Sequence, residues 1–511
     1  MYADSALSLI VPLSVIALVF ITRRVTLSLF CGIVIAAVMM SDSIVASLGY
    51  VWGHISGVFY SVDEGGSITL ARNALYVFGF LIILGILSQL IAYSGGVGAF
   101  VAWARQRVKS PKGSEFVAFI AGIVIFIDDY FNALSVGQIS KSLNDANGST
   151  RERLAYIIDS TSAPICILMP LSSWGAYIIG ILESKHLALE SGAFFTLLAS
   201  IWHNYYAWLA LLVVFLSIYW QIYFGAMRTR VNVGLKEVES THKHSSSSVW
   251  LLIAPIVLLI VSVAAMLFYS GYAESGSLSP IVMLQNTQTG FALFWGGLFA
   301  LCISVALCIR HLETDSIVPI IRYGVGSMMP AILILICAWA IGPIINEDMQ
   351  TGQYLAHLAQ AHLAQYAGAI LPVLVFVIAG FIAFATGTSW GTFAIMLPIA
   401  ATMAQLCGAD YVLSLSAVLA GAVYGDHASP ISDTTILSAT GAGCNAQSHF
   451  VTQLPYVSFA ALWALISFGV ASATGLVVLG WVCGICGVVG VIYMLKNRYA
   501  KPIEQGGSIG Q

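Results

Sequence analysis

Charged side chains are scarce in this sequence. They make up 8% of its 511 residues, whereas hydrophobic residues make up 59%. Soluble globular proteins carry about 25% charged residues, so the composition excludes a soluble domain, and its hydrophobicity excludes a disordered chain. Stretches such as Val249–Tyr269 and Phe291–Ile309 lack any charge over about the length that a helix needs to cross a bilayer. The sequence therefore predicts an all-α polytopic membrane protein whose main partner is the lipid bilayer.

Basic residues and enzyme motifs are also few. The chain has 20 Lys and Arg against 23 Asp and Glu, and no basic patch suits nucleic acid. It contains no H-E-x-x-H motif and no Cys/His set with the spacing of zinc ligands. Its nine cysteines lie almost all in apolar stretches, where cysteine behaves as a small hydrophobic residue. We therefore expect no enzyme, no cofactor and no nucleic-acid partner.

The basic residues that do occur predict an orientation, because Lys and Arg accumulate in short cytoplasmic loops. They cluster at 105–112, 141–153, 228–243 and 496–501, with smaller contributions from Arg23, Arg24, Arg310 and Arg322, whereas loops 270–290 and 346–368 contain none. An N-terminus outside and a cytoplasmic C-terminus place nearly all of them on the cytoplasmic side. The apolar windows then give about 11 full crossings, and we expect a bacterial inner membrane.

Two apolar segments, 116–140 and 369–408, do not fit this orientation as simple crossings. Basic residues flank the first segment on both sides, and no basic residue flanks the second. We predict that each is a re-entrant hairpin, the first entering from the cytoplasmic side and the second from the outside. Two ordinary crossings are the alternative interpretation.

A polar stretch divides the chain into two halves. Residues 225–248 form the longest segment of low hydropathy. We interpret it as a cytoplasmic linker between a first half of the transmembrane domain, 1–224, and a second half, 249–495. Residues 496–511 then form a cytoplasmic tail.

Five aspartates lie in apolar surroundings where charge is costly: Asp128, Asp129, Asp159, Asp426 and Asp433. An ionised carboxylate at the centre of a membrane costs at least about 2.5 kcal/mol. No Lys or Arg lies in the surrounding segments, so pairing with a basic side chain does not explain them. We predict that these five residues bind protons, a monovalent cation or a cationic solute.

Polar and aromatic residues accompany the aspartates. Gly, Pro and hydroxyl side chains in mid-span unwind a helix and leave oxygen ligands for a cation, although a single Ser or Thr often only caps or bends a helix. The predicted supporting residues are Asn132, Ser160, Thr161, Ser162, Ser172, Ser173, Trp174, Thr386, Thr388, Ser389, Trp390, His427, Ser429, Ser432 and Thr434.

The two halves resemble each other around two of the aspartates. Asp159–Ile165 is similar to Asp426–Ile431, and the predicted orientation sends the two spans in opposite directions. A hairpin followed by a broken helix, repeated in opposite orientation, is typical of transporters with inverted repeats and a site at the midplane. We therefore predict two broken helices and a central site, with Na+ bound near Asp159 and Asp426.

Four sequence runs resemble the NhaC family of sodium/proton antiporters. They are FIDDYFNALSVG (126–137), DSTSAPICILMPLSSWG (159–175), TSWGTFAIMLP (388–398) and GDHASPISDTT (425–435). The resemblance covers most of residues 70–475. It implies secondary transport driven by a sodium or proton gradient, with the aspartates of these motifs handling the cations.

Other functions stay open at this point. One is a sodium- or proton-coupled transporter of a small organic solute (an organic acid, an amino acid or an amine), with Trp174 and Trp390 lining its pocket. The absence of Lys and Arg from these spans disfavours an anionic solute. A passive channel fits five intramembrane acids less well than alternating access does. The sequence is compatible with a homo-oligomer.

Overall fold

Helices account for most of the described residues in the computed structural model. The structure describes residues 5–22, 24–62, 67–184, 187–229, 247–313, 315–363 and 366–499. The predicted linker 225–248 and the predicted tail 496–511 lie largely outside the described residues.

The first half consists of helices and one small sheet. Its helices are α1 (Ile10–Thr22), α2 (Val25–Met40), α3 (Ile44–Ser56), α4 (Arg72–Tyr93), α5 (Gly96–Arg105), α6 (Pro111–Val124), α7 (Asp129–Asn147), α8 (Arg151–Leu168), α9 (Ser173–Ser184), α10 (Ala193–Trp202) and α11 (Tyr205–Tyr219). Between α3 and α4, strands β1 (Tyr60–Val62) and β2 (Ile68–Leu70) pair antiparallel, with Tyr60 opposite Leu70.

The second half is helical in its described part. Its helices are α12 (Trp250–Ser275), α13 (Pro280–Gln285), α14 (Thr289–Cys308), α15 (Ile317–Pro343), α16 (Thr351–Leu363), α17 (Ala367–Thr386), α18 (Ser389–Cys407), α19 (Tyr411–His427), α20 (Asp433–Ala442), α21 (Ala446–Thr474) and α22 (Val477–Tyr499). Short 3₁₀ turns lie at Ala6–Leu9, Gly225–Thr229 and Ile309–His311, and a π-helical turn lies at Ile344–Asp348.

The prediction of an all-α polytopic membrane protein is confirmed. Within the described ranges, nine helical stretches are long and apolar enough to cross a membrane, and the pair α10–α11, bent by 46°, makes ten. This set differs from the predicted crossings. It includes α17 and α18, the two arms of the second predicted hairpin, whereas α1 and α2 are shorter. The number of crossings and the re-entrant course of 116–140 and 369–408 stay predictions.

Both predicted hairpins are pairs of packed helices joined by a short tip. Helices α6 and α7 pack together around a tip at 125–128, and α17 and α18 pack around a tip at Gly387 and Thr388. Gly387 has a positive φ of 71°, a conformation that a residue with a side chain rarely adopts. The tips therefore bring the amino ends of α7 and α18 into the interior of the protein.

Two helices of the bundle are broken. Helix α8 ends at Leu168 and continues as α9 after residues 169–172, and α19 ends at His427 and continues as α20 after residues 428–432. A proline, Pro170 or Pro430, lies in each break, where its missing N–H and fixed φ stop the helix.

The predicted match between Asp159 and Asp426 is wrong. Pro164 lies inside α8, and the break follows it at 169–172, so Asp159 is well within a continuous helix. The hydroxyls that were expected to unwind this segment donate to carbonyls of their own helix. Thr161 Oγ1 donates to the Ile157 carbonyl at 2.8 Å and Ser162 Oγ to the Asp159 carbonyl at 3.1 Å. Asp426, by contrast, is the penultimate residue of α19.

Each tip contacts the helix break of its own half. The Ser173 backbone N–H donates to the Ile127 carbonyl at 2.8 Å, which joins the first tip to the start of α9. In the second half, a Cβ on Gly387 would lie 2.8 Å from the Ile431 carbonyl oxygen, which shows how closely the second tip approaches the second break. The two halves thus repeat one arrangement of hairpin and broken helix.

Glycines allow the hairpins and broken helices to approach closely. A Cβ on Gly122 of α6 would lie 2.1 Å from Thr161 Oγ1 of α8, and one on Gly425 of α19 would lie 2.1 Å from the Gly380 carbonyl oxygen of α17. Helices in membranes associate through such small residues, because packing rather than hydrophobic burial drives their contact.

A buried ion pair joins the first hairpin to the surrounding helices. Glu115 of α6 and Arg153 of α8 are both fully buried, with Arg153 Nε 3.4 Å from Glu115 Oε2. Ser149 and Gln221 donate to the same carboxylate at 2.8 and 2.9 Å, and Arg153 Nη1 donates to the Ile222 carbonyl at 3.2 Å. The charges are therefore paired and hydrogen-bonded, as burial requires.

Candidate functional site

The first hairpin tip places two carboxylates side by side. Helix α6 ends at Val124, because the φ and ψ of Ile125, −90° and 61°, are not helical. Asp128 then caps the amino end of α7. The carboxylate of Asp128 accepts from the Phe131 backbone N–H at 3.1 Å and from Ser173 Oγ at 2.9 Å. Both partners are donors that suit an ionised carboxylate.

The second tip surrounds Asp426 in a similar way. Ser389, the first residue of α18, donates to Asp426 from its hydroxyl at 2.8 Å and from its backbone N–H at 3.3 Å. Ser432, which caps α20, donates a short hydrogen bond to the other oxygen of the carboxylate. Thr434 Oγ1 lies 2.8 Å from Ser432 Oγ and extends this hydroxyl cluster. Asp426 is 3% exposed.

Asp129 differs from its neighbour because its carboxylate has no partner. It is 1% exposed, and neither oxygen makes a hydrogen bond with any described residue. The nearby residue Tyr130 donates instead to Asp433 at 3.1 Å, which connects the first hairpin to the start of α20. An unpaired buried carboxylate is costly in a protein interior.

A cavity of roughly 710 Å³ adjoins these groups. Its wall includes Asp128, Asp129, Tyr130 and Asp433, and the second tip contributes Thr386, Gly387 and Thr388. Trp390 also lines the cavity, as predicted for a pocket, but Trp174 does not. Trp174 is buried behind it and packs edge to face on Trp390 with ring centroids 5.7 Å apart. We call the carboxylates Asp128, Asp129, Asp426 and Asp433 with Ser173, Ser389 and Ser432 the tip cluster.

Asp159 belongs to a second polar cluster, which does not line the cavity. One of its oxygens accepts from Gln453 Nε2 at 2.7 Å, from His449 Nε2 at 3.1 Å and from Thr435 Oγ1 at 3.3 Å. An ionised carboxylate only accepts, so His449 carries its proton on Nε2 in this arrangement. We call this group the Asp159 cluster.

His427 lies between the two clusters. Its ring nitrogens lie 3.0 Å from Ser160 Oγ and 2.9 Å from the Tyr206 hydroxyl, and its carbonyl accepts from Gln453 Nε2 at 2.7 Å. Hydroxyls donate or accept as required, so the neutral ring is fully satisfied. The neighbouring residue Asp426 belongs to the tip cluster, so α19 connects both groups.

The other predicted residues shape the site without facing the cavity. Asn132 Nδ2 donates to the Gly122 and Ile125 carbonyls, each at 2.7 Å, and holds the first tip in place. Ser172 caps α9 by accepting from the Gly175 backbone N–H at 3.0 Å, and Ser429 donates to the Phe384 carbonyl at 2.6 Å. The hydroxyls of Thr161 and Ser162 bond within α8.

Sequence reasoning missed His449, Gln453 and Arg24. His449 and Gln453 are four residues apart on α21, so they share one helix face, and this spacing of polar residues in an apolar helix was the available signal. Arg24 was interpreted only as an orientation marker. It lines the cavity, so the expectation that no basic residue is near the site is wrong. Within the described ranges none of the five aspartates forms an ion pair with Lys or Arg, but Asp159 does pair with His449.

Paired hairpins and broken helices around a cavity are typical of a membrane transporter. A solved structure has a similar fold: the YdaH transporter of Alcanivorax borkumensis, reported to have an unusual topology, aligns with a TM-score of 0.57 at 16% identity. The alignment covers 90% of this chain and 98% of that chain. At this identity the likeness shows the fold alone.

The chain belongs to the Na+/H+ antiporter family, whose model matches residues 165–473. This confirms the resemblance drawn from the four motifs, and it identifies a sodium/proton antiporter rather than an enzyme. An uncharacterized protein of Haemophilus influenzae is 38% identical over 97% of this chain and 96% of its own length. The malate-2H(+)/Na(+)-lactate antiporter of Bacillus subtilis is 25% identical over 35% of this chain and 37% of its own length.

Proposed function

We propose that sodium and protons exchange at the carboxylates of the tip cluster. The observation that carries this proposal is Asp129, a carboxylate that is buried beside the cavity and has no hydrogen-bond partner among the described residues. A bound sodium ion or a bound proton each removes the cost of its buried charge. Because one carboxylate takes only one of them at a time, the arrival of either ion expels the other.

The surrounding oxygens suit sodium. Hard cations prefer oxygen ligands, and unwound helix segments supply hydroxyls and carbonyls for them. The tip cluster offers the carboxylate of Asp426 with the hydroxyls of Ser389 and Ser432, and the open carboxylate of Asp129. The exchanged ions are cargo, and the exchange uses no other cofactor.

In this proposal the broken helices rearrange when an ion binds. Helix α20 contacts both clusters, because Ser432 at its amino end donates to Asp426 and Thr435 one turn later donates to Asp159. A change in the charge of Asp426 therefore alters a bond that positions α20. Ion binding at the tips is in this way connected to the arrangement of helices around the cavity.

The size and lining of the cavity also favour an organic solute as a substrate. Its volume exceeds what a sodium ion occupies, and its apolar wall from α2 and α15 serves no purpose for an ion. A relative of similar sequence is named for malate and lactate. We place the protein in a bacterial inner membrane with its N-terminus outside, as the distribution of basic residues suggests.

Reconstituted protein tests the proposal. A sodium gradient imposed on proteoliposomes should drive proton movement, which a pH-sensitive dye inside the vesicles reports. Asp129→Asn should stop this movement because the amide binds neither ion. Asp315→Asn, the same change at an exposed aspartate, is the matched control and should exchange normally. Equal exchange by the wild type and Asp129→Asn would exclude the assigned role of Asp129.

A further inference from the structure

The cavity beside the tip cluster has the size of a site for an organic molecule. Its roughly 710 Å³ equals more than about 20 water volumes, and small-molecule sites in proteins span about 300–1,000 Å³. One wall comes from Phe30 and Leu27 of α2 and from Met328 and Ile334 of α15, all of them apolar. Such a wall removes apolar surface of a ligand from water, which an ion does not need.

The cavity also exposes both signs of charge. Asp433 belongs to the wall at the start of α20 and is exposed, and Tyr130 donates a hydrogen bond to one of its carboxylate oxygens at 3.1 Å. Arg24, which precedes α2, belongs to the same wall as α2 and α15. It forms no ion pair with any described residue. A guanidinium is a planar fork that matches a carboxylate, and a carboxylate pairs with an ammonium group.

We propose that this cavity binds a small zwitterionic solute with an apolar side chain, such as an amino acid. Its ammonium group pairs with Asp433, its carboxylate with Arg24, and its side chain contacts the wall of α2 and α15. This inference rests on the proposed function and adds a substrate class to it. Sodium and protons still exchange at Asp129 and Asp426, whose carboxylates are buried.

Matched sets of ligands test each charge separately. L-leucine, isopentylamine and 4-methylpentanoate share one apolar group. L-leucine carries both charges, isopentylamine only the positive charge and 4-methylpentanoate only the negative charge. Equivalent sets are alanine, ethylamine and propanoate, and phenylalanine, phenethylamine and 3-phenylpropanoate. Binding to purified protein is measured by calorimetry in sodium-containing buffer for the wild type, Arg24→Gln and the control Arg322→Gln, whose arginine lies on α15 away from the cavity.

The wild type should bind the amino acid of at least one set about tenfold or more tightly than its amine and its acid, which corresponds to about 1.4 kcal/mol. Arg24→Gln should bind the amino acid no more tightly than the amine, and it should still bind the amine. Arg322→Gln should match the wild type. If Arg24→Gln does not fold, Arg24→Lys replaces it. Lysine keeps the positive charge but lacks the planar guanidinium group, so Arg24→Lys should weaken amino-acid binding and leave amine binding unchanged.

Three results would overturn the inference: no member of any set binds, an amine or an acid binds as tightly as its amino acid, or the arginine variant keeps the wild-type preference. If no member of any set binds, the cavity is an aqueous path for ions only. Sodium-driven proton movement by the wild type without any solute is measured alongside. Its absence would count against the proposed exchange, whereas its presence without ligand binding would count against this inference alone.

Discussion

Replacing Asp129 with asparagine should stabilise the sodium-free protein while it stops transport. The wild-type carboxylate is 1% exposed and has no hydrogen-bond partner among the described residues. An ionised carboxylate in a membrane costs at least about 2.5 kcal/mol. The amide that replaces it is also unpaired and costs about 1–2 kcal/mol, so the net gain is about 1 kcal/mol. For a chain of this length that raises the unfolding temperature by about 1–2 °C.

The same substitution at Asp159 should lower the stability of the protein instead of raising it. Its carboxylate accepts hydrogen bonds from Gln453, His449 and Thr435 at 2.7, 3.1 and 3.3 Å. Asparagine keeps the shape but loses the charge that strengthens these bonds. A hydrogen bond to a charged group contributes about 1.5–3 kcal/mol, so we expect Asp159→Asn to destabilise the protein by about 2–3 kcal/mol.

Thermal unfolding in detergent measures both effects, with the fluorescence of the 12 tryptophans as the signal. The buffer is sodium-free, and the gain for Asp129→Asn should grow toward alkaline pH, where more of the wild-type protein carries the charge. Added sodium should raise the unfolding temperature of the wild type and leave that of Asp129→Asn unchanged, because a ligand stabilises only the state that binds it. A lower unfolding temperature for Asp129→Asn, or a higher one for Asp159→Asn, would refute this reasoning.

Two further predictions concern topology and stability. In a background without the native cysteines, single cysteines at Gly113 and Ser142 should react only from the cytoplasm and those at Tyr366 and Ala409 only from outside, because each pair flanks a predicted re-entrant hairpin. Labelling of one pair from opposite sides would mean an ordinary crossing. Arg153→Met should destabilise the protein by about 3–5 kcal/mol in thermal unfolding, since it leaves a buried glutamate unpaired, and an unchanged unfolding temperature would contradict the assigned ion pair.

The sequence predicted the helix class and the second helix break, but it misplaced the first break. Hydroxyls around Pro164 were taken to unwind the helix. In the structure Thr161 and Ser162 donate to carbonyls one turn earlier, so they satisfy the helix that they were expected to open. Whether such a hydroxyl bonds within its helix or to another segment depends on the packing around it, which one sequence does not reveal. Pro170, with the capping residue Ser172 after it, marks the actual break.

The site was predicted in part, because Ser173, Ser389 and Ser432 were expected beside the acidic residues, whereas the partners of Asp159 were not. Asp159 and Asp426 were expected to share one site, whereas their hydrogen bonds fall into two clusters with His427 between them. The partners His449 and Gln453 come from α21, which is almost 300 residues away from Asp159 in sequence. Contacts over such separations arise from the tertiary arrangement of the helices, and local sequence patterns carry little information about them.

Proton release on sodium binding tests the central claim most directly. Purified protein in weakly buffered detergent solution is mixed with sodium chloride, and a pH-sensitive dye reports the protons released, with choline chloride as the control for ionic strength. If sodium and protons exchange at the tip cluster, the wild type releases protons, and Asp129→Asn releases none. Sodium binding without proton release by the wild type, or undiminished release by Asp129→Asn, would contradict the account.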